Sequence, residues 1–165
     1  MIALKNVLVA TDFSEAADAA LAYGRALARA FGATLHVLHV ADDLYMRLGG
    51  DAYSAVLPDL QQDVERQAKA RLVQLLVDDD SMPLPTKSVV ITAGATAPAI
   101  VNYAAQADID LIVVGTHGRQ AMAHVLMGSV AEKVVRTAPC PVLTIRQPER
   151  EFIFPDTVEA RHDRA

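Results

Sequence analysis

The stretch Asp110-Leu-Ile-Val-Val-Gly-Thr-His-Gly118 decides the reading of this chain. Leu111 to Val114 is a continuous aliphatic run, not an alternating one. Such a run predicts a strand buried on both faces, as in a parallel sheet. It stops at Gly115 and is followed by a Gly-bearing loop. Gly128-Ser129-Val130 then opens a segment with helical spacing, predicted from about Met127 to Thr137. Strand, loop and helix in that order form one half of a βαβ unit.

The same alternation extends in both directions. Leu4 to Ala10 (LKNVLVA), Thr34 to Ala41 (TLHVLHVA) and Thr86 to Thr92 (TKSVVIT) read as three earlier strands, and Val142 to Arg146 as the last. Ser14 is placed to cap a helix ending near Phe31, with Gly32 as its C-terminal stop. Pro58 to Val77 reads as an amphipathic helix, broken by Asp78-Asp79-Asp80. Pro98 falls in the first turn of a helix ending near Asp108. Residues 42–54, with Gly49-Gly50, read as an irregular surface loop. Strand and helix alternate to the end, which predicts an open parallel sheet with helices on both faces and right-handed crossovers. No internal repeat or second domain is visible, and 147–165 reads as a charged extension, disordered or docked on a neighbour.

Composition narrows the function. A chain of 165 residues with 52% hydrophobic and 21% charged residues can bury a core. The net charge of -5 gives no basic footprint for nucleic acid, and 5% aromatics with no Trp leave few stacking platforms. Cys140 is the only cysteine, so an intrachain disulfide is excluded. No apolar run reaches the ~18 residues of a membrane span, and Asp12 stands where a signal peptide would be cleaved. The expected location is the cytoplasm.

In open α/β sheets the ligand lies beyond the carboxyl ends of the strands, where strand order reverses. The loops Thr11-Asp12, Ala41-Asp42, Ala93-Gly94 and Thr116 onward are therefore the candidates. The last is the most unusual: Gly115, Gly118, then Gly128-Ser129 at a helix start. Two glycines three apart are expected to allow positive φ and close backbone approach to a ligand. The helix start offers free N–H groups to a phosphate, Ser129 a hydroxyl, and Arg119 a forked cation. The plainer reading, glycines that only shape a turn, is weakened by the third Gly and the Ser. The pattern is neither a Walker A loop nor GxGxxG.

Gly115-x2-Gly118-x9-Gly128-Ser129 resembles the ATP-binding signature of the universal stress protein family. VLVATDFS (Val7 to Ser14), LHVLHV (Leu35 to Val40), LIVVGTHGR (Leu111 to Arg119) and GSVAEKVVRTAPCPVLTI (Gly128 to Ile145) are similar to the family's segments, so the resemblance runs to about Arg146. It implies a domain over 1–146 with an extension over 147–165. It also implies a five-stranded parallel sheet of order 3-2-1-4-5, of adenine nucleotide alpha hydrolase-like type. In the nucleotide-binding branch, residues matching Ala10, Thr11, Asp12 and Val40 surround the adenosine. Those matching Val114, Gly115, His117, Gly118, Gly128, Ser129 and Val130 hold ribose and phosphates, with Mg or Mn accompanying ATP. Ala10 departs from the Pro of many relatives but keeps the site small and apolar. A homodimer through the Val142–Ile145 edge strand is implied, with a tetramer and a transporter or kinase partner as further possibilities.

Other residues are weighed against simpler roles. Asp12 either serves the ligand or completes the turn before the first helix. His36 and His39 point to opposite faces of their strand, which favours packing or a local hydrogen bond over a shared metal. His117 has no partner for general base work. Cys140 lies between two prolines before a strand, away from the cation or helix start a reactive thiolate needs. Tyr45, Met46 and Leu48 form either a lid or part of a mobile loop. The resulting expectation is an ATP-binding regulatory protein with at most slow hydrolysis and no catalytic residue. The alternatives are an interaction module of the same family that binds no ATP, and an adenylating enzyme, for which the chain shows neither a second domain nor an SGGxDS loop.

Overall fold

The computed structural model describes residues 2–48, 56–77, 84–116 and 127–146. In chain order they form β1 (Asn6–Ala10), α1 (Glu15–Phe31), β2 (Thr34–Asp42), α2 (Leu44–Leu48), α3 (Leu57–Val77), β3 (Thr86–Ala93), α4 (Thr96–Gln106), β4 (Leu111–Gly115), α5 (Ser129–Thr137) and β5 (Val142–Ile145). The sheet has five strands in the order β3-β2-β1-β4-β5, and every pairing is parallel.

The unbroken apolar runs form central strands because both their faces are covered. Val7, Val9, Leu35, Val37 and Val113 pack with α1 and with Leu72 of α3 on one face. Leu8, Leu38, Ile112 and Val114 pack with α4 and α5 on the other. Val7, Leu8 and Val9 are all fully buried, and each such side chain contributes about 1.5–3 kcal/mol.

Caps set the helix limits as expected for α1. Ser14 accepts from the Ala17 N–H, and Gly32 closes the helix in the left-handed region at φ 64°. The 42–54 expectation needs correction, because Leu44–Leu48 is helical. Asp43 accepts from the Met46 N–H at 3.1 Å, and buried Gln61 of α3 accepts from the Leu44 N–H at 2.9 Å. These side chains satisfy the open end of a turn too short to persist alone. Residues 49–55 lie outside the described residues.

Candidate functional site

Strand order reverses between β1 and β4, whose connections run to opposite sides of the sheet. Their paired register ends at Val9 with Val113. Beyond it the two backbones bond away from each other. The Thr11 N–H donates to the Leu38 carbonyl of β2 at 2.9 Å, and the Thr116 N–H to the Ile145 carbonyl of β5 at 2.8 Å. A crevice therefore opens at the carboxyl end of the sheet, where the topology predicts a ligand site.

The turn after β1 forms one wall. Thr11 is buried and its Oγ1 accepts from the Phe13 N–H at 3.0 Å. Asp12 Oδ1 accepts from the Ser14 N–H at 3.1 Å and from the Ser14 hydroxyl at 2.5 Å. Asp12 thus completes the turn, the simpler of its two expected roles, while its carboxylate stays part-exposed at the crevice. Phe13 takes a left-handed backbone with φ 63°, a conformation that bulky residues adopt only when held there.

The other wall is the end of β4 and the start of α5. The Gly128 N–H donates to the Thr116 carbonyl at 2.6 Å, which pins the α5 N-terminus to the carboxyl end of β4. Gly128 is the N-cap residue, and among the described residues no side chain caps the helix. The N–H groups of Ser129, Val130 and Ala131 have no acceptor within the helix and carry its positive dipole end. Ser129 and Val130 are exposed there.

One glycine expectation is corrected. Gly115 does not have positive φ: the described glycine with that geometry is Gly32, while Gly118, the other glycine of that expectation, lies outside the described residues. Gly128, at the helix start, sits at φ -68°. Gly115 is required for a different reason. A Cβ there would lie 2.7 Å from the Ala16 carbonyl oxygen and 2.8 Å from its carbon. The missing side chain lets β4 meet the first turn of α1.

Ala10, Val40 and Val114 lie on the α4–α5 face near the carboxyl end of their strands. With Thr11, Asp12, Gly115, Gly128, Ser129 and Val130 they are brought to one end of the sheet. His117, Gly118 and Arg119 lie outside the described residues. Thr116, which anchors α5, was read in sequence only as the start of the candidate loop and not as a site residue. Met46 stands against Gly94 beside β3, where a Cβ on Gly94 would meet its sulfur at 2.6 Å. That contact sets α2 against the β3 end of the sheet, two strands away from the β1–β4 crevice.

The histidines do face opposite ways. His36 Nδ1 is 2.8 Å from the Tyr103 hydroxyl of α4, whereas His39 Nδ1 is 2.8 Å from the Thr11 carbonyl. Burial, and then the Lys87 charge, hold His36 below its ordinary 6.5. Burial raises the Cys140 thiol above its usual range, and the Asp110 carboxylate adds to this, so the group is the opposite of an activated thiolate. Among the described residues no group of three or more His, Cys, Asp or Glu side chains could hold a metal ion, and no helix is long and apolar enough to cross a membrane.

A parallel sheet with helices on both faces, and a crevice at its switch point flanked by the start of α5, define a doubly wound α/β protein with a candidate ligand crevice. The pattern of the universal stress protein family matches residues 3–146, and the chain belongs to that family. A universal stress protein of Thermus aquaticus, encoded in the QAH/OAS sulfhydrylase 3' region, is 34% identical over 142 residues, covering 86% of this chain and 98% of its own. The solved universal stress protein UspA of Lactobacillus plantarum is 33% identical with a TM-score of 0.79, covering 88% of this chain and all (100%) of its own. A universal stress protein solved in complex with cAMP shares the fold at 23% identity and a TM-score of 0.56, over 87% of this chain and 97% of its own.

Proposed function

We propose that the chain is an ATP-binding regulatory protein of this family, and that the nucleotide occupies the β1–β4 crevice. The observation that carries this reading is the α5 N-terminus. It is tied to Thr116 at the switch point and, among the described residues, has no side-chain cap, so its N–H groups suit phosphate oxygens. Bound ATP would bring a polyphosphate and its own Mg or Mn ion. The chain contributes the N–H groups of Ser129 and Val130, the Ser129 hydroxyl, Asp12 toward ribose or cation, and the apolar Ala10, Val40 and Val114 toward the base. His117, Gly118 and Arg119 complete the set on the strength of the sequence motif.

Occupancy would act by changing the surface offered to a partner rather than by rapid chemistry. A second copy is proposed to pair along β5, an edge strand of the sheet whose Val142, Leu143 and Thr144 are only half-buried. Pairing would cover that edge. Residues 147–165 are taken as an extension beyond the nucleotide-binding domain.

Thermal unfolding with and without Mg-ATP tests the reading. Ligand at about 100 times its dissociation constant adds roughly 2.7 kcal/mol. The midpoint should rise by roughly 5–11 °C for a domain of this size. Gly128→Val should lose the rise while folding normally, since φ -68° is open to any residue. No rise in the wild type at millimolar Mg-ATP would remove the nucleotide reading.

A further inference from the structure

The Thr11–Ser14 turn is held from outside by His39 of β2. The Thr11 carbonyl oxygen can only accept, so His39 Nδ1, 2.8 Å away, must carry the proton. The same imidazole packs against Phe13, with ring centroids 4.5 Å apart and planes inclined by 38°. Arg71 of α3 places its guanidinium carbon 4.3 Å from the centroid of the Phe13 ring, a cation–π contact. Phe13 is also the residue forced into the left-handed region at φ 63°. A strained residue persists only where its surroundings over-determine it. Here the surroundings are His39 on β2, which meets both Thr11 and Phe13, and Arg71 on α3, which meets the Phe13 ring. Between Thr11 and Phe13, Asp12 turns its carboxylate onto Ser14.

We propose that His39 is a positioning residue for the nucleotide crevice: its Nδ1–H holds the Thr11 carbonyl and its ring supports Phe13, so the Asp12 turn is set before ligand arrives. The proposal rests on the reading of the crevice as a nucleotide site. It assigns His39 no contact with the nucleotide. Its role is to remove the cost of ordering the turn on binding, which is how pre-organisation raises affinity. The ring also supplies what a plain hydrogen-bond donor lacks, a flat surface for Phe13. Donor and surface can therefore be tested separately.

Three forms are compared: wild type, His39→Asn, whose Nδ2 can take the place of Nδ1, and His39→Leu, which keeps bulk without a donor. Calorimetric Mg-ATP affinity should fall roughly tenfold in His39→Leu, the loss expected when a buried carbonyl is left without its donor. In His39→Asn it should stay within about threefold of wild type. A merely structural role would lower the thermal midpoint in both variants without this separation of affinities. Wild-type affinity in His39→Leu, or equal loss in both variants, would overturn the proposal. Nuclear magnetic resonance of the ligand-free protein gives an independent reading. The His39 ring nitrogens should show the proton on Nδ1, and the amides of Phe13 and Ser14 should exchange faster in His39→Leu than in wild type. If wild type binds no Mg-ATP, the nucleotide reading fails by itself, and these ligand-free measurements decide whether His39 sets the turn. Unchanged exchange, or a proton on Nε2 alone, would overturn that too.

Discussion

Gly115→Ala is the sharpest test of how the crevice is built. The new Cβ would sit 2.7 Å from the Ala16 carbonyl oxygen, 2.8 Å from the carbonyl carbon and 3.0 Å from the Ala16 Cβ. Ordinary contact begins near 3.4 Å, so β4 and α1 must separate by several tenths of an ångström. The obstructing atoms belong to helix backbone and cannot rotate aside. Ala16 is in the first turn of a helix fixed by Ser14, and β4 is tied to β5 through the Thr116 N–H. Overpacking of this kind costs about 1–3 kcal/mol. At roughly 2–4 °C per kcal/mol, the midpoint should fall by about 2–12 °C. The assay is thermal and urea unfolding of the ligand-free protein. If Gly115 were needed only for ligand approach, the substitution would cost binding but no stability without ligand. A ligand-free midpoint within about 1 °C of wild type would therefore refute the packing argument.

Two further outcomes follow from the caps and the buried histidine. Ser14→Ala removes the α1 cap and both Ser14 hydroxyl contacts, including the one to Asp12, and should cost about 0.5–2 kcal/mol in urea unfolding. Full wild-type stability would show the cap to be replaceable. His36 is buried and sits below its ordinary 6.5 because of burial and Lys87. Between that lowered native value and 6.5 the unfolded chain binds more protons, so stability falls as pH drops through this window, by at most about 1.4 kcal/mol per pH unit. Below the native value the slope from this residue ends. His36→Leu should flatten the stability–pH profile there, and an unchanged slope would contradict the assignment. Asp110 titrates elsewhere: the Asn6 and Lys5 amides hold its carboxyl below 3.8, so its contribution is lost only at more acid pH.

The sheet was legible because the central strands carry continuous aliphatic runs. Leu111–Val114 and Val7–Val9 have no polar face to present, so they can only be central in a covered sheet. The Ser14 and Gly32 caps were legible because each residue does locally what its chemistry favours. Two features were not. α2 depends on Gln61, seventeen residues ahead of Leu44, and local reading of 42–54 has no access to such a partner. Gly115 was assigned the right importance for the wrong reason. A glycine chosen for close packing against Ala16 and one chosen for positive φ look identical in sequence. The candidate crevice was legible from topology, since the reversal of strand order, which the sheet does show, alone selects the β1 and β4 ends.

The two crevice walls differ in a way that bears on ligand orientation. The β1 wall has its polar groups largely engaged locally: Thr11 Oγ1 with Phe13, the Thr11 carbonyl with His39, and Asp12 with Ser14. Its charge is the Asp12 carboxylate, which repels phosphate. The α5 wall presents an uncapped helix start, which attracts it. A nucleotide that enters the crevice is therefore favoured with its phosphates at Ser129 and Val130 and its nucleoside toward Ala10 and Val40, whose side chains lie on the apolar α4–α5 face. The reverse orientation would set polyphosphate against a carboxylate and leave the helix start facing a base. On this argument Asp12→Asn removes repulsion as well as a ribose or cation partner, so its effect should depend on the ligand. It should weaken binding of metal-free ATP less than it weakens adenosine binding, because only the polyphosphate gains from the lost charge. Equal weakening of both, measured by calorimetry, would mean that the phosphates lie too far from Asp12 for its charge to matter.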